Sequence, residues 1–289
     1  MATECLKLGW EVTSISLKKK IVHNKKVKSL FFDISKKKLI EKHLKNKFFD
    51  YVINCAGYVD HNNKKKVFLS HYLGCKNLVD FFIEKKKIKT FIQLGSSVEY
   101  GKLKIPHKET FYKKIRKTNS FYGDAKLKAT KYLINAYKKY KFPCKIFRIY
   151  LCYGPGQSLN RFVPIVINSC KRDRDFDCSN GEQIRDFIYI DDLINLILLG
   201  LKDKKNNGNI FNAGSGEKIK LKKAINYIQK VCKGGRPIFG QLKLRKDESL
   251  KFYGDISQSI KKLKWKPKVR FYNGINKILR FQSKKMLIN

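Results

Sequence analysis

The stretch Thr90-Phe91-Ile92-Gln93-Leu94-Gly95-Ser96-Ser97 decides the fold. An apolar and β-branched run closes on a glycine and then on two hydroxyls, as a strand does where its carboxyl end opens into a ligand crevice. Working outward from it, similar runs predict strands at Glu11 to Leu17, Val27 to Ile34, Tyr51 to Cys55 and Lys145 to Tyr150, with Thr90 to Gly95 among them. Helical patterns fill the intervals, at about Lys36 to Lys45, Val67 to Lys85 and Tyr122 to Lys139. In the last, Ala125, Ala129, Leu133, Ile134 and Tyr137 recur three and four residues apart, giving an apolar face opposite a lysine-rich one. Strand and helix alternating in this way specify βαβ units and a parallel sheet, an α/β fold of the Rossmann-like doubly wound type.

Beyond Tyr153-Gly154-Pro155-Gly156 the elements shorten. Helices are expected near Phe162 to Lys171, Asp192 to Leu201, Leu221 to Val231, Ile256 to Leu263 and Asn273 to Gln282, and strands at Phe187 to Ile190 and Asn209 to Ala213. No Ser/Gly/Pro linker separates two globules, so residues 157–289 read as a smaller interleaved α/β region that returns segments to a first domain at 1–156. A nucleotide-binding sheet of this type opens with a strand, a G-x-G-x-x-G turn and a helix. This chain instead opens at Met1-Ala2-Thr3-Glu4-Cys5-Leu6-Lys7-Leu8-Gly9, which reads as the second half of that helix with Gly9 as its stop. The first strand and the glycine-rich turn are therefore missing from the reading, which leaves neighbouring strand edges without partners.

The chain has 289 residues and 43% hydrophobic content, enough to close a core, which excludes a disordered tail or a small disulfide scaffold. Its formal charge is +42, from 65 Lys and Arg against 23 Asp and Glu. The lysines run along the whole sequence, as at Lys36-Lys37-Lys38 and Lys64-Lys65-Lys66, so they read as a basic solvated surface and no specific nucleic-acid site. The apolar run Leu193 to Leu199 is too short to span a membrane, and the N-terminus carries no secretory pattern, so a cytoplasmic chain is expected. Eight scattered cysteines without a C-x-x-C pair read as reduced thiols, with no metal site.

Chemistry concentrates at Tyr122-Gly123-Asp124-Ala125-Lys126. A tyrosine and a lysine four apart at a helix start share a face, where the ammonium lowers the phenol's pKa and makes it a proton donor and acceptor near neutrality. Ser96 lies 26 residues upstream, at a strand end where its hydroxyl can meet that tyrosine.

With these residues in place, the chain resembles the extended short-chain dehydrogenase/reductases, specifically the NAD(P)-dependent epimerase/dehydratase group that acts on nucleotide sugars. The matching stretches are Val52-Ile53-Asn54-Cys55-Ala56-Gly57; Gly95-Ser96-Ser97-Val98-Glu99-Tyr100-Gly101; Tyr122 to Lys126; Phe147 to Gln157; Gly181 to Asp192; Phe211-Asn212-Ala213-Gly214-Ser215-Gly216; and Asp255-Ile256-Ser257 with Leu263-Lys264-Trp265-Lys266-Pro267. The resemblance implies hydride transfer at C4 of a hexose linked to a nucleotide diphosphate, with NAD or NADP as cofactor. Tyr122 would exchange the 4-hydroxyl proton, Ser96 would hydrogen-bond the same oxygen, and Lys126 would hold the nicotinamide ribose. It also implies that Ala56 and Gly57 let the backbone approach the cofactor and that Asp33 contacts the adenine. Ser97 and Asn160 would contact substrate, and Arg185 and Arg245 would bind the diphosphate. A homodimer is implied as well.

Two departures refine the expectation. Where NAD-preferring members end the second strand with an aspartate, this chain has Ser16, Leu17 and Lys18, which tilts the cofactor toward NADP. Where 4,6-dehydratases carry an Asp-Glu pair, it has Ser97 and Val98, leaving 4-epimerisation or reduction of a 4-keto-sugar. The alternatives are a non-catalytic nucleotide- or RNA-binding Rossmann protein, or an inactive truncated family member.

Overall fold

The computed structural model describes residues 1–17, 24–85, 87–244 and 248–286. They form two compact units, neither of which is a continuous stretch. The first contains Met1–Gly101, Lys117–Phe147 and Gly200–Ile210; the second contains Lys102–Arg116, Arg148–Leu199 and Phe211–Asn289.

In the first unit, helix α1 (Ala2–Lys7) ends at Gly9, whose φ of +76° is the left-handed conformation open to glycine. Strand β1 (Val12–Ser16) runs parallel to β2 (Val27–Phe31), with Val12 opposite Val27 and Ser16 opposite Phe31. Helix α2 (Lys37–Leu44) buries Ile40 and Leu44. Strand β3 (Tyr51–Asn54) pairs in parallel with β4 (Thr90–Ser96), Tyr51 opposite Thr90 and Asn54 opposite Gln93. Phe91 and Ile92 on β4 are wholly buried, as expected of a strand covered on both faces. Helix α5 (Phe121–Tyr140) then leads into β5 (Cys144–Ile149).

The single helix expected over Val67 to Lys85 is instead α3 (Lys64–Phe68), a π-helical segment (Leu69–Leu73) and α4 (Gly74–Lys85). The wide turn brings His71 inward, and Gly74 follows it because a Cβ there would come within 2.7 Å of Ile34 Cγ1. Hydrophobic periodicity does not register one extra residue per turn. The ladder β1-β2 is separate from the four-stranded sheet β10-β5-β4-β3, where β10 is Asn209–Ala213. Trp10, just ahead of β1, stacks on Tyr51 at the start of β3 with ring centroids 4.9 Å apart.

The second unit holds parallel pairs of short strands, β6 (Leu151–Tyr153) with β9 (Phe187–Tyr189) and β7 (Asp175–Cys178) with β12 (Arg236–Phe239). Strand β8 (Ile184–Arg185) lies between β11 (Ile219–Lys220) and β13 (Lys251–Phe252). Helices α6 (Phe162–Lys171), α7 (Ile190–Lys202), α8 (Leu221–Cys232), α9 (Ser257–Leu263) and α10 (Phe271–Met286) complete the set. Tyr153, Ile167, Phe187, Ile228, Phe271 and Ile275 form the heart of its core.

Two buried aspartates hold this unit's corners. Asp186 accepts from Ser215 N at 2.6 Å, Ser215 Oγ at 2.9 Å and Gly216 N at 3.1 Å. Burial nevertheless raises its pKa to about 6 against the pull of those donors. Gly214 is obligatory beside it, since a Cβ would lie 2.3 Å from Asp186 Oδ2. Asp192 accepts from Lys268 N and Val269 N, while its carbonyl takes the indole N–H of Trp265. These contacts give structural reasons for sequence stretches that carry no reactive group.

All eight cysteines are free. Among the described residues, no helix is long and apolar enough to cross a membrane.

Candidate active site

Helix α5 is started by side chains. Ser120 caps it by accepting Gly123 N at 3.0 Å, and Asp124 Oδ1 accepts Thr118 N at 2.7 Å. Tyr122 lies in the first turn and Lys126 one turn on, on the same face. Lys126 is 6% exposed, and its Nζ donates to the carbonyl of Leu94 at 2.7 Å. That carbonyl is two residues before Ser96 on β4, so the helix carrying the tyrosine and lysine is pinned to the strand that ends in the serine. Burial pulls the Lys126 pKa below its ordinary value, and the nearby Glu99 carboxylate opposes that pull.

Ser96 closes β4 and caps the 3-10 turn Ser97–Tyr100. Its Oγ accepts Val98 N at 3.4 Å, and its own N–H goes to Glu99 Oε1 at 2.8 Å, a reciprocal capping box. Ser97 is buried in that turn.

Tyr122 has two aromatic neighbours from the segment between β3 and α4. His61 stacks on it, centroids 4.0 Å apart and rings 10° from parallel, and His71 meets it edge-on at 4.9 Å. His71 Nε2 lies 3.1 Å from both the N and the O of Tyr58. Burial drives its pKa down to about 4, so the imidazole is neutral at physiological pH. Its Nδ1 is buried with no hydrogen-bond partner among the described residues.

The residues expected at the cofactor follow the carboxyl ends of parallel strands. Ser16 ends β1. Asp33, two residues past β2, accepts Ser35 N at 2.8 Å in a tight Asx turn. Ala56 and Gly57 follow β3, and Ala56 N donates to Asn54 Oδ1 at 3.1 Å. A Cβ on Gly57 would meet His71 Cε1 at 2.3 Å, so only glycine lets the chain pass against that ring. Segments that follow the carboxyl ends of parallel strands suit a dinucleotide, and the His71 Nδ1 without a partner lies beside them. Lys18, the residue behind the NADP expectation, lies outside the described residues.

In the second unit, Asn160 is exposed and accepts from Ser158 Oγ at 2.9 Å. The Arg185 guanidinium is occupied internally: Nη2 pairs with Glu248 Oε1 at 2.6 Å, and Nη1 donates to the carbonyls of Ile184 and Leu250. Arg245 lies outside the described residues.

Sequence reasoning missed His61, His71, Glu99 and Glu248. Glu99 stood inside a motif already noted, whereas nothing in the sequence ties Glu248 to an arginine 63 residues away.

Residues 1–214 match the model of the NAD dependent epimerase/dehydratase family, and the chain belongs to that family. Among curated relatives, the CDP-abequose synthase of Salmonella typhimurium is 32% identical over 134 residues, which is 44% of this chain and 44% of the relative. The dTDP-4-dehydro-6-deoxyglucose reductase of Escherichia coli is 30% identical over 174 residues, 55% of this chain and 51% of the relative. The chain thus spans about half the length of these relatives. Among solved structures, a UDP-glucose 4-epimerase of Thermotoga maritima matches with a TM-score of 0.89 at 22% identity, covering 99% of this chain and 94% of that one. The Bordetella bronchiseptica enzyme WbmG, solved with NAD, matches at 0.85 and 18% identity, covering 98% and 89%. These likenesses establish the Rossmann-like α/β fold.

Proposed function

We propose that this chain transfers hydride at C4 of a nucleotide-diphosphate hexose, acting as a 4-ketoreductase or a 4-epimerase with NAD or NADP. The observation that carries the reading is the buried Lys126 ammonium on the Leu94 carbonyl, which brings the Tyr122/Lys126 face of α5 to the end of the strand that finishes in Ser96. Bound NAD(P) supplies the acceptor and donor of the hydride. Tyr122 exchanges the proton of the 4-oxygen. Ser96 Oγ accepts from Val98, which leaves its own hydrogen to donate to that oxygen. Lys126 has three N–H bonds, of which one serves Leu94 and the others serve the cofactor ribose and the phenol.

Elimination of water would need a further acid and base beside the serine. Ser97 and Val98 offer neither, and Glu99 is engaged with Ser96 and Thr130. The 30%-identical reductase favours reduction of a 4-keto-sugar over epimerisation. For the diphosphate we assign Arg185, for which a phosphate competes with Glu248, together with Arg245. Asn160 and Ser97 complete the substrate contacts, and the working form is taken to be a homodimer.

The test supplies NADH or NADPH with dTDP-4-dehydro-6-deoxyglucose, and separately UDP-glucose with NAD, while following reduced-nicotinamide absorbance and the sugar products. A reductase consumes the reduced cofactor with the keto-sugar, and an epimerase yields the 4-epimer without net cofactor change. Turnover of neither by the wild-type chain, across a panel of nucleotide sugars, refutes the reading.

A further inference from the structure

Glu99 is the most deeply committed carboxylate beside the candidate site, and the chemistry described above does not use it. It is fully buried in the turn that follows β4. Its two oxygens reach two different elements: Oε1 accepts the backbone N–H of Ser96 at 2.8 Å, and Oε2 accepts the hydroxyl of Thr130 at 2.7 Å. Thr130 is one helical turn beyond Lys126 and two beyond Tyr122, on the same face of α5. A single carboxylate therefore links the serine of the site to the helix that bears the tyrosine and the lysine. The strand is shaped around it, for a Cβ on Gly95 would lie 2.6 Å from Oε1.

Burying a carboxylate is costly unless hydrogen bonds replace its water, and an apolar residue would fill the same space without that cost. The return on this arrangement is geometric. Hydride and proton transfer require the hydroxyl, phenol and ammonium to be held to within a fraction of an ångström. The Lys126–Leu94 bond ties α5 to β4 at one point, and Glu99 supplies a second tie on the other side of Ser96, which removes the freedom to pivot about the first.

We propose that Glu99 is a positioning residue of the hydride-transfer site, acting through Ser96 and Thr130 to fix the serine against helix α5 without touching sugar or cofactor. The inference rests on the proposed function. Because the action runs through Ser96, its signature is a loss that disappears once the Ser96 hydroxyl is gone.

The experiment compares kcat and KM for NADPH-dependent reduction of dTDP-4-dehydro-6-deoxyglucose, and UDP-glucose epimerisation with NAD, in the full chain and its variants. Glu99→Val is expected to lower kcat about 100-fold with little change in KM, the penalty of a misplaced catalytic group. Glu99→Gln, which can keep both hydrogen bonds because the Thr130 hydroxyl can also accept, is expected to stay within about tenfold of wild type. Thr130→Val falls between them. In a Ser96→Ala background, Glu99→Val is expected to add less than about twofold. Should Glu99→Val not fold, Thr130→Val and Glu99→Gln with and without Ser96→Ala carry the same cycle. Equal losses in the presence and absence of the Ser96 hydroxyl, or a loss confined to KM, overturn the positioning role while leaving the proposed function standing. A wild-type chain inactive on both substrates and on the wider panel overturns the proposed function and this inference with it.

Discussion

Two corners of the molecule hold a buried cation differently. Where β4 meets α5, Lys126 is bonded to a backbone carbonyl and supported by Glu99, itself held by a backbone N–H and a threonine. At β8, Arg185 is held by Glu248 from a distant loop and by two carbonyls, and it remains partly open at 11% side-chain exposure. In both, burial pulls the cation's pKa down and a carboxylate pushes it back. The first cation is locked to the framework and suits a group whose position must not vary. The second is paired with an exchangeable carboxylate and suits a group that trades one anion for another.

The comparison breaks first at the phenol. Tyr122→Phe is expected to lower turnover about a thousandfold with substrate binding nearly unchanged, because under the proposed function it removes only the proton carrier. Steady-state kinetics alongside calorimetric binding would check this, and retained turnover would take the tyrosine out of the mechanism.

The neutral His71 beside it gives a pH signature. With a folded pKa of about 4 against about 6.5 unfolded, the native state binds fewer protons in that window, so stability falls as pH drops from 6.5 toward 4. The loss is limited to about 3 kcal/mol. In the second unit, burial likewise puts His107 at about 4, but there it also raises Glu109 to about 7 and Asp186 to about 6. Those carboxyls hold protons that the unfolded chain releases, so they oppose the histidine's effect. His71→Gln is therefore expected to flatten the acid side of the whole chain's stability curve, as read from denaturant unfolding at pH 7 and pH 4.5. An unchanged pH dependence would mean that His71 is not the neutral imidazole described.

At the other corner, Arg185→Ala is expected to weaken nucleotide-sugar binding about 10- to 100-fold, the worth of charge-assisted bonds, while leaving a free sugar unaffected. Equal effects on both ligands would remove the diphosphate role. The smallest effect sharpens the contrast: Glu248→Gln releases the arginine and is expected to tighten nucleotide-diphosphate binding by less than about tenfold. Weaker binding in that variant would mean that Glu248 orients Arg185 and does not compete for it.

Much of the first unit was legible because its chemistry is local. Tyr122 and Lys126 share one helix face through their spacing, and Ser96 stands at a strand end marked by apolar residues and a glycine. The π-helical turn at Leu69–Leu73 was not legible, since one added residue barely disturbs an apolar pattern, and His71 went unnoticed with it. Glu99 was quoted within a motif, but its two bonds depend on the turn geometry and on Thr130 across the packed helix. In the second unit, β8, β11 and β13 span two residues each, too few for any period to show. The Arg185–Glu248 pair joins residues that only the folded chain brings together.

The most direct test follows the hydride itself. The wild-type chain is given 4-deuterated NADPH or NADH and dTDP-4-dehydro-6-deoxyglucose, or a nucleotide-linked 4-keto-hexose from the wider panel, and the product is analysed by mass spectrometry and NMR. The account predicts one deuterium at sugar C4 and none from Tyr122→Phe; deuterium at another carbon, or equal labelling by the variant, would contradict it.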